Sequence, residues 1–290
     1  MCCCLCPRAC GADRKEVIGF CGCTDACRVS RAGLHHFEEP FISGTRGSGT
    51  VFFSGCNLRC IYCQNMPLQS GTLGQALTAE ELSNTMLRLQ EIGAHNINLV
   101  TASPHLIILC DALSLAKSKG LTIPIVYNTS AYETAAAIER LSGLVDVYLP
   151  DLKYKNAELS ARFSGCSNYF EIAVAAISAM FAQVGHLRLN ENGIAICGVL
   201  IRHLVLPGCA FDTRDILDEI AARFSPDCHL SLMRQYTPFP ELPPPLNRRV
   251  TDREYESCLS HCLKLRFSNV YTQDKESATF AYTPEFSNRI

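Results

Sequence analysis

The sequence predicts an α/β fold, a partial (β/α)6 TIM-like barrel with an N-terminal cysteine-rich cap. Three observations carry this prediction. Short β-branched runs alternate with longer stretches of helical periodicity, which argues for a parallel sheet with right-handed crossovers. There are six such units, too few for a closed eight-unit barrel, so the sheet is expected to stay open. Ahead of them, residues 1–45 carry cysteines punctuated by glycines and little periodicity. That segment is expected to fold around a metal, and residues 46–290 around an apolar core.

The strands are expected at 50–55, 96–101, 123–129, 145–151, 202–208 and 229–236. Thr78 with Glu81 three residues on forms a capping box at the start of the first helix. Lys119-Gly120 marks the end of a second helical stretch, 103–120. Further helices are expected at 131–143, 169–185, 213–224 and 251–265. Residues 187–200, centred on Asn192-Gly193, read as a β-hairpin inserted before the fifth strand.

Composition narrows the function. In 290 residues only 19% are charged and the net charge is −2, so no electrostatic footprint for nucleic acid or membrane is present. No apolar run approaches the ~20 residues of a membrane span. The opening "MCCCLCPRAC" lacks the apolar core of a signal peptide, so a cytoplasmic, reducing setting is expected. The chain has 18 cysteines, and clustered thiols in such a setting bind metal more often than they form disulfides. Cys110, Cys166, Cys197, Cys209 and Cys228 are isolated in apolar surroundings and read as small core residues, as do Cys258 and Cys262 on one helix face.

The informative cluster is "SGCNLRCIYCQN", with Cys56, Cys60 and Cys63 spaced C-x3-C-x2-C just past the first strand. Active sites of parallel α/β folds lie at the carboxyl ends of the strands, so the position is that of a site. Three thiols are one short of a closed zinc centre, and an open metal position marks a site built for chemistry. Thiolate suits iron–sulfur clusters and zinc alike.

C-x3-C-x2-C with aromatic Tyr62 before the last cysteine, behind the first strand of a partial barrel, resembles the radical S-adenosylmethionine signature. The words "HHFEEPFISGTRGSGTVFFSGCNLRCIYCQN", "NINLVT", "VYNTSAYE", "VYLPDLKY", "RHLVLPG" and "SLMRQY" resemble a group related to the pyruvate formate-lyase activating enzyme. The resemblance implies a [4Fe-4S] cluster on Cys56, Cys60 and Cys63 whose open iron binds S-adenosylmethionine. It implies reductive cleavage of that cofactor to methionine and a 5′-deoxyadenosyl radical, which abstracts hydrogen from a substrate. An electron donor of flavodoxin or ferredoxin type and a protein substrate follow from the same resemblance.

Single positions carry over in the same way. Lys153 of "DLK" matches a residue that contacts the cofactor carboxylate, and Asp151 one that lines the same pocket. Asn128 and Thr129 match polar cofactor contacts, and Val205 of "VLPG" an edge that packs on adenine. One departure stands out. The Gly-Gly-Glu-Pro that follows the second strand in activating enzymes is here "TASPH", leaving Thr101, Ser103 and backbone carbonyls to hold the cofactor's amino group.

Cys3, Cys6, Cys10 and Cys21 give C-x2-C-x3-C-x10-C, enough thiols for zinc or for a second cluster. Cys2, Cys4, Cys23 and Cys27 are surplus. His35-His36 beside Glu38-Glu39 reads as a solvated loop rather than a metal site. Two other functions compete with a radical enzyme: a zinc-binding interaction module and a two-cluster electron carrier. A zinc module does not need six βα units, and an electron carrier does not need an open iron.

Overall fold

A computed structural model of the chain describes residues 3–279 and 283–286, so Cys2 lies outside the described residues. The chain enters through turns and loops, then forms β1 (Cys27–His35), a short α1 (Pro40–Ser43), β2 (Ser48–Phe53) and β3 (Gln75–Leu77). Strand and helix then alternate: α2 (Ala79–Glu91), β4 (Ile97–Val100), α3 (Leu106–Ser118), β5 (Ile125–Thr129), α4 (Ala135–Arg140) and β6 (Val147–Pro150). Two helices follow, α5 (Ala157–Ser164) and α6 (Tyr169–Val184), then β7 (Arg188–Leu189) and β8 (Ala195–Leu204). The chain continues with α7 (Ala210–Phe224), β9 (His229–Met233), α8 (Asp252–Lys264) and β10 (Asn269–Thr272).

All six expected strands are present as β2, β4, β5, β6, β8 and β9, neighbours in that order and parallel throughout. A short seventh parallel strand, β10, pairs with β9. On the other side β1 runs antiparallel to β2 and β3 antiparallel to β1. The order ends at β10 and β3 without closing, which is the partial barrel. Residues 27–35 thus join the sheet, although the sequence pattern places them in the cap. The expected hairpin also needs a correction. Its second arm is the lower half of β8 itself, and only Arg188–Leu189 pairs back on it. Helix α5 was not expected; Asn156 caps it by accepting the backbone N–H groups of Glu158 and Leu159.

Both faces of the sheet are covered, so the central strands are buried at every position. Alternation still sorts them. Val126, Val147, Leu149 and Leu200 point into the lumen, which Phe41 and Ile42 of α1 close from below. Tyr127, Tyr148, Val199 and Ile201 face the helix layer. The Thr78–Glu81 capping box is formed, with both hydrogen bonds. Among the described residues no single helix is long and apolar enough to cross a membrane.

Candidate active site

The loop after β2 carries Cys56, Cys60 and Cys63 to the carboxyl ends of the parallel strands, and all three line a cavity of about 250 Å³. Cys60 is 7% exposed, and its sulfur accepts the Ser164 hydroxyl at 2.9 Å. Tyr154 bridges the Ser164 hydroxyl, 2.9 Å away, to the hydroxyl of Tyr62, 2.5 Å away. The aromatic residue of the motif therefore helps fix the loop. Burial pushes the Cys60 thiol up to about 12, against the pull of Lys153. A thiol so held keeps its proton and is not a free nucleophile. Among the described residues, no three His, Cys, Asp or Glu side chains lie close enough to hold a single metal ion. Three sulfurs around a cavity suit a larger inorganic core.

A chain of buried charges faces the thiols. Lys153 Nζ lies 2.6 Å from Asp151 Oδ2, and Arg202 Nε lies 3.0 Å from Asp151 Oδ1. Arg202 also donates to Asn128 Oδ1 at 2.6 Å and approaches Glu38 Oε2 at 3.4 Å. Asn98 donates to the other oxygen of Glu38 at 3.1 Å. Burial raises the Asp151 carboxyl, but Lys153 and Arg202 overcome it and hold the group below its usual range. Burial also lifts Glu38 to about 7, with Arg202 pulling the other way. Glu38 therefore lies inside the lumen and not in a solvated loop.

The loop that bears Asp151 and Lys153 is held from behind. Tyr169 accepts the Lys153 N–H, and its hydroxyl lies within hydrogen-bond reach of the Ser130 and Asp151 carbonyls. His203 Nδ1 lies 2.6 Å from the Leu152 carbonyl and Nε2 2.9 Å from the Thr213 hydroxyl. Burial holds His203 near 4, so the neutral ring donates to the carbonyl and accepts from Thr213.

The residues singled out in the sequence divide into two groups. Tyr62, Thr101, Asn128, Asp151 and Lys153 line the cavity with the three cysteines. Ser103 and Thr129 turn to the helix layer, where both hydroxyls donate to the buried carboxylate of Glu133, Thr129 at 2.7 Å. Tyr127 joins them at 3.2 Å. Val205 is fully buried and does not line the cavity. Arg202, Glu38 and Tyr169 escape the sequence reading. Arg202 alone leaves a signal, a charged residue in the middle of an apolar strand.

Four cap cysteines are also neighbours. A β-carbon on Gly19 would meet the sulfurs of Cys21 at 3.6 Å and Cys10 at 3.7 Å. Cys10 hydrogen-bonds Cys3, and Cys6 feels the charges of both Cys21 and Cys3. Of the surplus thiols, Cys23 and Cys27 are buried and Cys4 is exposed. Cys23 donates to the Ser54 carbonyl at 3.3 Å and hydrogen-bonds the Cys21 thiol, and burial raises Cys27 to about 12.

Known proteins resemble this chain consistently. The family model of the Radical SAM superfamily matches residues 50–220. An uncharacterised protein of Methanocaldococcus jannaschii is 30% identical over 280 residues, covering 92% of this chain and 76% of its own. The pyruvate formate-lyase 1-activating enzyme of Escherichia coli is 26% identical over 185 residues, covering 62% of this chain and 70% of that enzyme. Among solved structures, native anSMEcpe with bound AdoMet has a TM-score of 0.53 at 15% identity, covering 76% of this chain and 61% of that one. Streptococcus suis SuiB bound to S-adenosylmethionine has a TM-score of 0.52 at 13% identity, covering 82% of this chain and 50% of that one. The chain spans less than two thirds of either structure, and both likenesses are of fold.

Proposed function

Because the chain belongs to the radical SAM superfamily, we propose that it is a radical enzyme of the activating type, acting on a protein partner. Cys56, Cys60 and Cys63 hold a [4Fe-4S] cluster on this reading, and the cavity beside them holds S-adenosylmethionine. One observation carries it: the three thiols line the same cavity as the Lys153–Asp151 pair. When bound, the cluster supplies one electron that cleaves the cofactor to methionine and a 5′-deoxyadenosyl radical.

The chain's own residues then have separable tasks. Lys153 offers its ammonium to the cofactor carboxylate, with Asp151 aiming it. Asn128 and Thr101 supply neutral contacts along the strand ends. Ser103, Thr129 and Val205 act from behind the cavity wall, as supports of the loops that carry those contacts. Arg202 and Glu38 line the lumen below, where a substrate hydrogen donor is received. The similarity to activating enzymes supports a protein substrate attacked at a backbone glycine, an electron donor of flavodoxin or ferredoxin type, and a cytoplasmic setting. Cys3, Cys6, Cys10 and Cys21 take a second metal group, a cluster or zinc, in a cap set against the barrel.

The test is anaerobic reconstitution with iron and sulfide, then addition of reductant and S-adenosylmethionine. The parent is expected to yield 5′-deoxyadenosine and Cys60→Ala none. Undiminished cleavage by Cys60→Ala would sink the assignment.

A further inference from the structure

We propose that Cys3, Cys6, Cys10 and Cys21 hold a second iron–sulfur cluster that relays electrons to the site at Cys56, Cys60 and Cys63. The proposal rests on the radical reading above. The donor set comes first. The sulfurs of Cys10 and Cys21 flank Gly19, Cys10 hydrogen-bonds Cys3, and Cys6 feels the charges of Cys21 and Cys3, so four thiols are gathered in one place. Four thiolates suit an iron–sulfur cluster.

The attachment of the cap says what the group is for. The Cys56 backbone N–H donates to the Cys21 carbonyl at 3.0 Å. Arg8, midway between Cys6 and Cys10, donates from Nε to the Asn57 carbonyl at 2.8 Å and from its terminal nitrogen to the Leu58 carbonyl at 3.3 Å. Cys21 is thus one hydrogen bond from Cys56, and the turn between Cys6 and Cys10 is tied to the same loop through Arg8. A staple needs only to hold the cap to itself. Here the segments that carry the thiols are also bonded to the catalytic loop.

Exposure gives the direction. Within the cap set Cys10 is exposed and Cys21 is buried against the catalytic loop, so a protein electron donor meets the Cys10 end and Cys21 faces Cys56. The step balances simply. One electron leaves a flavodoxin- or ferredoxin-class donor, reduces the cap group, and crosses the Cys21–Cys56 contact. The cap group returns to its oxidised state, and the electron is consumed in breaking the carbon–sulfur bond of the cofactor.

Two variants test this. Cys56→Ala/Cys60→Ala/Cys63→Ala, reconstituted anaerobically, is expected to retain about four irons per chain and a reducible electron paramagnetic resonance signal. The reduced protein donor should bleach that cluster in stopped flow. Zinc without iron, or a cluster the donor cannot reduce, overturns the relay. In Cys10→Ala/Cys21→Ala the ratio of donor-driven to dithionite-driven cleavage should fall about tenfold below the parent's, whatever the absolute rates. An unchanged ratio overturns it. If the parent itself gives no 5′-deoxyadenosine with dithionite, the radical reading fails, while iron content in the triple variant still reports on the cap.

Discussion

The Tyr169 hydroxyl accepts the backbone N–H of Lys153 at 3.0 Å and lies 2.6 Å from the Asp151 carbonyl. The first residue of α6 therefore fixes the loop whose side chains face the thiols. Tyr169→Phe leaves these buried groups unpaired, which costs about 1–3 kcal/mol. A lower urea midpoint and weaker S-adenosylmethionine binding are expected, with iron content unchanged. An unchanged midpoint and affinity would show that the loop holds its shape without the hydroxyl.

Lys153→Ala should weaken S-adenosylmethionine binding by about 1.5–3 kcal/mol, the scale of a charge-assisted hydrogen bond. Cluster content should not change, because Lys153 is no ligand. Asp151 keeps Arg202 as a partner at 2.9 Å, so the fold should survive the loss. Isothermal titration of the reconstituted variant against the parent reads the effect, and equal affinities would remove Lys153 from the cofactor site.

Glu38 gives a pH-dependent prediction. Its carboxyl titrates at about 7 in the folded chain against an ordinary 4.5, because burial disfavours the charged form. Between those values the folded state holds more protons than the unfolded one, so stability falls as pH rises. The loss is on the order of 3 kcal/mol across the window. Glu38→Gln should remove this component and raise the unfolding midpoint relative to the parent at pH 8 more than at pH 5. His35, His105 and His203, each lowered to about 4 by burial, act with the opposite sign below about pH 6.5. The difference between parent and variant is therefore the quantity to measure.

Gly55 stands where the cap meets the catalytic loop. Its φ is +95°, and a β-carbon there would lie 2.0 Å from the Cys23 sulfur. Cys23 is 2% exposed and cannot swing away. Gly55→Ala is expected to cost about 1–3 kcal/mol and to loosen the cap before the barrel. Limited proteolysis should cut within residues 3–26 faster than in the parent, and equal protection would show that the junction tolerates the added carbon.

The legible part of this protein is what local pattern controls. Apolar runs, β-branched in all but β9, announce β2, β4, β5, β6, β8 and β9, and the thiol spacing announces the loop after β2. β1 is not legible, because Arg28, Ser30, Arg31 and Gly33 break up any apolar run and its pairing depends on β2. Glu38 sits beside exposed Phe37 in a polar word that reads as loop. Its burial comes from Arg202, 164 residues away. Asn128 and Thr129 show a limit that alternation itself sets. Adjacent strand residues face opposite ways, so only one of the two can reach the cavity. Asn128 does so, and Thr129 binds Glu133 instead.

The sheet that stops at β10 and β3 leaves a seam down one side of the lumen. Phe41 of α1 and Tyr271 of β10 meet across it with ring centroids 4.7 Å apart. Higher up, His35 and Phe52 from one edge and Gln235 and Thr237 from the other border the cavity without pairing as strands. A closed barrel has a single doorway at its rim, and a guest must be small or present a free end. A seam has length. On the proposed reading, a segment laid along it sideways would first displace the chain's own C-terminal residues, since Thr279, Thr283 and Pro284 line the cavity and Phe286 packs edge-on against Phe52 with ring centroids 5.5 Å apart.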